Sequence, residues 1–576
     1  MKWIKSNPNL FLAILLLLWC VFNIFQGIFL ELTNDEAYYW VLAKDLEWGY
    51  YDHPPMFAPL IASGVALFGD TELGVRLFSI LLQPLYLYLF WTLVRTQTST
   101  YRTALIYFLV AFSVPLIQLY GFIITPDAPL MFCVALVLWS YKKFTNEQAN
   151  WILGTLLFGA SMALLGYAKY HGVLILAFIV LSNLGMLRNW RFWVAVGVAS
   201  LLFMPHLLWQ YNHDWVSFRY HLSARTGDFE WENVWLYIVN FCVTFNPLVV
   251  FVFLILLVKD KSKDHLEQAL KVITWGFLLF FLWSTTKYHV QPQWLIPLCF
   301  PLLYFVVRGC GSRPRLRHYL YKAGYIFVVI IFVGRIVIMV YSGSGSMLEV
   351  YNNKHSYTAF ADTLCQRPFI SSGNYVLSSK LNFYGHNPSY ALPNIYARSS
   401  HYQYIDMDSH LYGQKVALEI SDQAHNSLSG KELADRYFYQ SIWRYGIYYD
   451  TVDFYIPTRR VSIEYTMPEK VLTQDNLPLE LTINNPYDFD IPLTGDGGFK
   501  LKALFKIGRF TTYDVPVEIK STVLPAHGSV KEYTRIIIPT IPTGDYHIGL
   551  SLHRYPYSSW FNCPLKAIKV VEVKRR

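Results

Sequence analysis

Long apolar runs fill the chain up to about residue 344, and from there onward the sequence turns polar, turn-rich and alternating. A hydrocarbon span takes about 20 mostly apolar residues. Eleven runs fit: 10–30, 73–94, 103–122, 128–141, 151–168, 172–187, 192–211, 234–258, 270–286, 293–308 and 320–341, with 11–13 as the range their ends allow. Lys2 and Lys5 precede the first run as in a secretory signal. That run is too long for such a signal and lacks a small-residue cleavage site, so it is read as an anchor.

The polar remainder reads as two parts. Residues 345–460 mix a helix-like stretch (KELADRYFYQSIWRYG) with strand-like ones (NYVLSS, KVALEI), which predicts a mixed α/β region. From 461 to 576, period-two runs such as LPLELTINNP, FKLKALFKI, KEYTRIIIP and GDYHIGLSLHR predict an immunoglobulin-like β-sandwich. The expected architecture is a polytopic α-helical membrane domain (1–344) followed by an α/β segment and a sandwich.

Composition agrees with a membrane protein: 54% of residues are hydrophobic and 15% charged, against roughly 25% charged in soluble domains. The 48 Lys+Arg and 39 Asp+Glu leave +9, which is chiefly a topology signal. With the N-terminus inside, about 17 basic and about 4 acidic residues fall in the inner loops. About 6 basic and about 13 acidic ones fall in the outer loops. An odd number of spans puts the C-terminal region outside. No N-x-S/T acceptor occurs, which favours a bacterial inner membrane over a eukaryotic secretory one. The surplus is not a basic patch, so a nucleic-acid partner is not expected. Cys365 and Cys563 are the one cysteine pair expected outside, and a disulfide between them is one option.

Candidate chemistry gathers in the outer loops. The first reads LTNDEAYYWVLAKDLEWGYYDHPP, with adjacent carboxylates Asp35 and Glu36, and Asp52-His53 before a rigid Pro-Pro turn. Others end apolar spans with Asp127 (ITPDAP), Lys169 and His171 (AKYHG), and Lys287 and His289 (TKYHVQPQW), while 212–233 adds Arg219, His221 and Arg225. Taken singly, such residues are usually solvated loop charges. Their recurrence on one side points to a shared cavity, because charge at membrane depth is costly. Lys44, Arg76 and Arg335 read as interfacial side chains that snorkel to water. A carboxylate can take a proton from a hydroxyl and cations can steady a departing phosphate. That pairing suits sugar transfer from a lipid-phosphate donor; no nucleotide-binding loop is evident.

NDEAYYW…GYYDHPP, ITPDAP, AKYHG and PHLLWQYNHDWVSFRYH together resemble the GT-C membrane glycosyltransferases, and more closely the bacterial dolichyl-phosphate-mannose protein mannosyltransferase-like family that includes the lipid A aminoarabinose transferase. The resemblance covers about residues 8–340. It implies that Asp35 is the catalytic base with Glu36 beside it, and that Asp127 orients the acceptor or the base. It places Asp52 and His53 where that transferase has Glu-Lys, and Tyr38 where it has an Arg. Donor phosphate binding then falls to Lys169, Lys287 or Arg225, with His171 and His289 nearby. The expected partners are a polyprenyl-phosphate sugar, an envelope acceptor (lipid, glycan or protein) and membrane lipid. No cofactor is required, although carboxylates and imidazoles sharing these loops leave room for a divalent cation. Competing readings are a flippase for the lipid-linked sugar, for which matching broken helices in inverted halves are not found, and a non-catalytic receptor using the sandwich.

Overall fold

The computed structural model describes residues 6–146, 150–223, 229–311, 313–340, 353–420, 438–442, 445–495, 497–507, 511–554, 556–557 and 559–571. It forms two compact units, Met1–Asn352 and Asn353–Arg576. The expected boundary at 344/345 lies outside the described residues.

The first unit is helical: α1 (Pro8–Phe29), α2 (Asn34–Leu42), α3 (Phe57–Phe68), α4 (Glu72–Val94), α5 (Tyr101–Phe112), α6 (Pro115–Leu119), α7 (Asp127–Thr145), α8 (Trp151–Ala168), α9 (Gly172–Ser182), α10 (Trp190–Asn212), α11 (Val216–Ser223), α12 (Trp231–Thr244), α13 (Pro247–Lys259), α14 (His265–Ser284), α15 (Cys299–Gly309) and α16 (Pro314–Val340). Among the described residues, α1, α4, α8, α10, α14 and α16 are each long and apolar enough to cross a membrane.

Proline breaks three of the other expected runs. The run 103–122 ends its helix at Phe112 and restarts at Pro115, because proline has no N–H to continue the ladder. The run 234–258 is the pair α12–α13, bent by 99° where Asn246 caps the new helix. Between α14 and α15, residues 292–298 wind as a 3₁₀ turn around Pro292 and Pro297.

Arg335, expected to reach water, is instead buried at 6% exposure. Its guanidinium donates to the side-chain oxygens of Asn23 (2.7 Å), Gln118 (2.6 Å) and Gln26. Three amide dipoles from α1 and α6 therefore solvate a cation inside the apolar layer.

The second unit holds two sheet systems. In the first, β1 (Phe369–Ser372) lies between β2 (Ser389–Leu392) and β3 (Val416–Glu419), parallel to both, and β5 (Tyr445–Val452) and β4 (Phe438–Ile442) extend it antiparallel. Two local expectations are overturned here. NYVLSS opens a helix, α18 (Tyr375–Tyr384), because the Asn374 side chain caps Leu377 N–H. The described part of KELADRYFYQSIWRYG forms a strand, where the aromatic FYQSI pairs with YGIYYDTV. The helix before this sheet, α17 (Lys354–Leu364), packs Phe360 against Phe369 and Tyr449.

Residues 462–571 make two further antiparallel arrays, β11-β10-β14-β15-β7 and β13-β8-β6, with the small pair β9–β12 beside them. Here β6 is Ser462–Tyr465, β7 Lys470–Leu472, β8 Asn476–Asn484, β9 Ile491–Pro492, β10 Lys500–Ile507, β11 Thr511–Val517, β12 Val523–Leu524, β13 Ser529–Ile537, β14 Gly544–His553 and β15 Lys566–Val571. Among the described residues of these arrays, β7 alone runs parallel to its neighbour, β15. Alternate residues are buried along the second half of β8, alternate residues of β13 are at least partly covered, and the Tyr465 hydroxyl donates to the Ile548 carbonyl, tying one array to the other. Cys365 and Cys563 are both free thiols.

Candidate active site

Thr33 starts α2 with a capping box: its side chain accepts from the Glu36 N–H at 3.2 Å, and the Glu36 carboxylate accepts from the Thr33 N–H at 2.9 Å. The same carboxylate takes two bonds from Arg76 of α4, Nε to Oε1 at 2.8 Å and Nη2 to Oε2 at 2.7 Å, and one from the Ile124 N–H at 3.1 Å. Arg76 also donates to the carbonyls of Gly27, Leu30 and Glu31. Both side chains are at 0% exposure. Glu36 is thus a knot that ties the end of α1, the start of α2, the first turn of α4 and the loop entering α7. Arg76 does not snorkel, because five acceptors surround it inside the protein.

This knot sets the neighbouring carboxylates. Asp35 sits in the first turn of α2, exposed, where the helix N-terminus favours its charge. Asp127 opens α7 and is 4% exposed. Lys169 Nζ, from the loop after α8, donates to both Asp127 oxygens at 2.7 and 2.8 Å. The Ile124 N–H that Glu36 holds lies three residues before Asp127, so the helix start bearing Asp35 and the loop leading to Asp127 are attached to the same carboxylate.

The Asp52-His53-Pro54-Pro55 turn packs against the same loops. Met56 N–H donates to the Tyr167 carbonyl, and His221 Nε2 donates to the Asp52 carbonyl at 3.0 Å. Tyr38 is buried against Tyr39, whose ring meets His53 edge-on at 5.6 Å. Beneath the turn, His206 of α10 donates Nδ1–H to the Trp48 carbonyl at 2.6 Å, which leaves Nε2 facing the Tyr170 hydroxyl at 3.2 Å. Gln210 donates to that hydroxyl at 2.9 Å and to Ser217, which in turn donates to the Tyr50 carbonyl at 2.8 Å. Burial pushes the Tyr50 and Tyr170 hydroxyls well above the usual phenol range, so both stay neutral. Lys44 stands over the Trp40 ring at 3.7 Å, and burial lowers its ammonium, partly offset by Asp70.

The remaining candidates are scattered. The His171 ring lies 5.4 Å from Trp294, which meets Tyr288 in the 287–289 loop. Lys287 and His289 are exposed, with Lys287 over the Trp283 ring at 4.6 Å. Arg219 is exposed on α11, and Arg225 lies outside the described residues. Among the described residues, no group of three or more His, Cys, Asp or Glu stands together to hold a metal ion. Sequence reading passed over Tyr170, His206 and Gln210. The signal for Arg76 was present, an arginine inside an apolar run, where a buried partner is the usual answer.

The fold is that of a polytopic helical membrane protein followed by a strand-rich unit. Residues 52–209 match the family described as dolichyl-phosphate-mannose-protein mannosyltransferase. The chain is 27% identical over 202 residues to lipid A galacturonosyltransferase RgtD of Rhizobium johnstonii, a match that takes in 31% of this chain and 38% of that relative's length. Crystal structures of ArnT from Cupriavidus metallidurans superpose with TM-scores of 0.57 for the apo state and 0.56 for the form bound to undecaprenyl phosphate. Each is 14% identical and covers 76% of this chain and 97% of the other. These matches show a likeness of fold to ArnT and a partial sequence match to the mannosyltransferase family model.

Proposed function

We propose that the protein is a glycosyltransferase that moves a sugar from a polyprenyl-phosphate donor to a hydroxyl of an envelope acceptor on the extracytoplasmic face, with inversion. The observation that carries this reading is the buried Glu36–Arg76 knot, which ties the helix start bearing exposed Asp35 to the loop leading into Lys169-bound Asp127. Asp35 takes the proton from the acceptor hydroxyl as its oxygen attacks the anomeric carbon. The bond from that carbon to the phosphate oxygen breaks, and the lipid phosphate leaves with the electron pair. Asp127, fixed by Lys169, orients the acceptor. Positive charge for the phosphate comes from Lys169, Lys287 or Arg225, the last of which lies outside the described residues, and the Asp52-His53 turn shapes the sugar pocket. Lipid A is the acceptor class named for the relative RgtD, and an outer-leaflet lipid, a glycan or a protein hydroxyl fits the same chemistry.

Asp35→Asn should reduce release of free polyprenyl phosphate from a labelled donor by about 10²–10⁴-fold, with an unchanged melting temperature because Asp35 is exposed. Wild-type turnover in that variant would overturn the assignment. Donor movement across the bilayer without release, in the unmodified protein, would favour a flippase.

A further inference from the structure

Away from the candidate active site, two adjoining cavities lie where the α4–α5 loop meets the α15–α16 corner. One, of about 260 Å³, is lined by the hydroxyl residues Thr96, Thr98, Ser99, Thr100 and Thr103, together with Arg308 and Arg317. The second, of about 420 Å³, shares Ile106 and Arg317 with it and adds Tyr101, Arg102, His318 and Tyr321. Neither lining contains a carboxylate. The nearby acids are already engaged: Asp260 holds Arg313 at 2.7 Å, and Glu267 lies 3.9 Å from Arg308. Arg102 and Arg317 are exposed and make no ion pair among the described residues. Arg102 Nε donates to the Tyr101 hydroxyl at 3.2 Å, and the Ser99 and Thr103 hydroxyls accept from the Thr96 and Thr100 N–H groups, which leaves the hydroxyl protons and the remaining guanidinium N–H groups to meet an anion; guanidinium matches the paired oxygens of a phosphate.

The second cavity lies between α5 and α16. The most apolar stretch of α16 is only 17% buried, so its outer face meets lipid. Tyr319, Tyr321 and Tyr325 are exposed along its first turns, at the depth where aromatic residues mark the membrane interface. A ligand seated here would place its phosphate among the arginines and hydroxyls, and its apolar part along α16.

We propose that these joined cavities bind the phosphate headgroup of an anionic phospholipid from the leaflet on this side, as basic pockets between membrane helices do. The charge pattern makes that side cytoplasmic, but binding itself does not depend on the orientation, nor on the proposed transfer reaction. Occupancy would pin α16 against α5.

Native mass spectrometry of the full-length protein in detergent, titrated with phosphatidylglycerol, phosphatidylcholine or inorganic phosphate, tests this. Phosphatidylglycerol should be retained at about tenfold lower concentration than phosphatidylcholine. Arg102→Gln/Arg317→Gln should abolish that preference. Arg315→Gln/Lys322→Gln, which removes neighbouring charges outside both linings, should preserve it. Should the arginine variant fail to fold, Ser99→Ala/Thr103→Val should weaken phosphatidylglycerol retention in its place. Equal retention of the two lipids, loss of preference in the Arg315/Lys322 control, or displacement of lipid by millimolar inorganic phosphate would overturn the proposal.

Discussion

Arg76 and Glu36 meet through two parallel hydrogen bonds, 2.8 and 2.7 Å long, with neither side chain exposed to solvent. Because Glu36 also holds the Thr33 and Ile124 N–H groups, the pair fixes the relative placement of α2 and the loop into α7, and so of Asp35 and Asp127. Removing one partner leaves a buried charge uncompensated, which costs about 3–5 kcal/mol. Arg76→Met and Glu36→Leu should each lower the melting temperature and abolish activity. Arg76→Lys should recover little, because an ammonium cannot reproduce the planar fork. Thermal unfolding in detergent is the measurement; an Arg76→Lys protein with wild-type stability would show that charge alone suffices.

The Asp127–Lys169 pair predicts a different pattern. Both side chains are nearly buried, at 6% and 8% exposure. Lys169→Met leaves Asp127 buried without its cation, so the variant should unfold at a lower temperature and lose turnover. Asp127→Asn/Lys169→Met should regain stability relative to either single change, with a coupling of about 1–3 kcal/mol in a double-mutant cycle. Additive single effects would mean that the pair contributes no coupling.

Arg335 gives a third. Its partners are the amide oxygens of Asn23, Gln26 and Gln118. Arg335→Met removes the cation but strands three buried acceptors, at about 1–3 kcal/mol for an unsatisfied group. The variant should unfold at lower temperature, and adding Gln26→Leu, which removes one stranded acceptor, should restore part of the loss. A stable Arg335→Met protein would instead suggest that the amides find one another.

What could be read from the sequence followed local signals. T-N-D-E carries its own capping box, so Asp35 at a helix start was legible, and ITPDAP marked Asp127 at the opening of α7. The partners were not, since Glu36 and Arg76 are 40 positions apart and Arg335 lies 309 from Gln26. No periodicity encodes such distances. The same limit explains the snorkelling expectation, which weighs one residue against water without knowing which acceptors the fold supplies. NYVLSS misled because β-branched and aromatic content favours a strand, whereas the Asn374 cap outweighed it. Aromatic FYQSI became a strand once β5 offered an antiparallel edge.

The second unit supplies a pH prediction. His553 lies at the end of β14, opposite Lys500 on β10, with Nδ1 3.1 Å from the Ser559 hydroxyl. Burial, reinforced by the Lys502 charge and opposed by Asp514, pushes its imidazole down from 6.5 to about 4. Above pH 6.5 the ring is neutral in both folded and unfolded chains and contributes nothing. Between pH 6.5 and 4 the unfolded chain gains a proton that the folded chain refuses, so stability falls with falling pH, by an amount on the order of 1–3 kcal/mol. The depressed carboxyls of Asp406 and Glu532 lose their contribution only below their ordinary values of 3.8 and 4.5, so they do not account for a difference between pH 7 and pH 5. In the full-length protein, amide exchange along β10 and β14, corrected for intrinsic rates, should therefore be faster at pH 5 than at pH 7. His553→Gln should remove most of that difference. An unchanged pH response in the variant would assign the effect to other groups in the sheet.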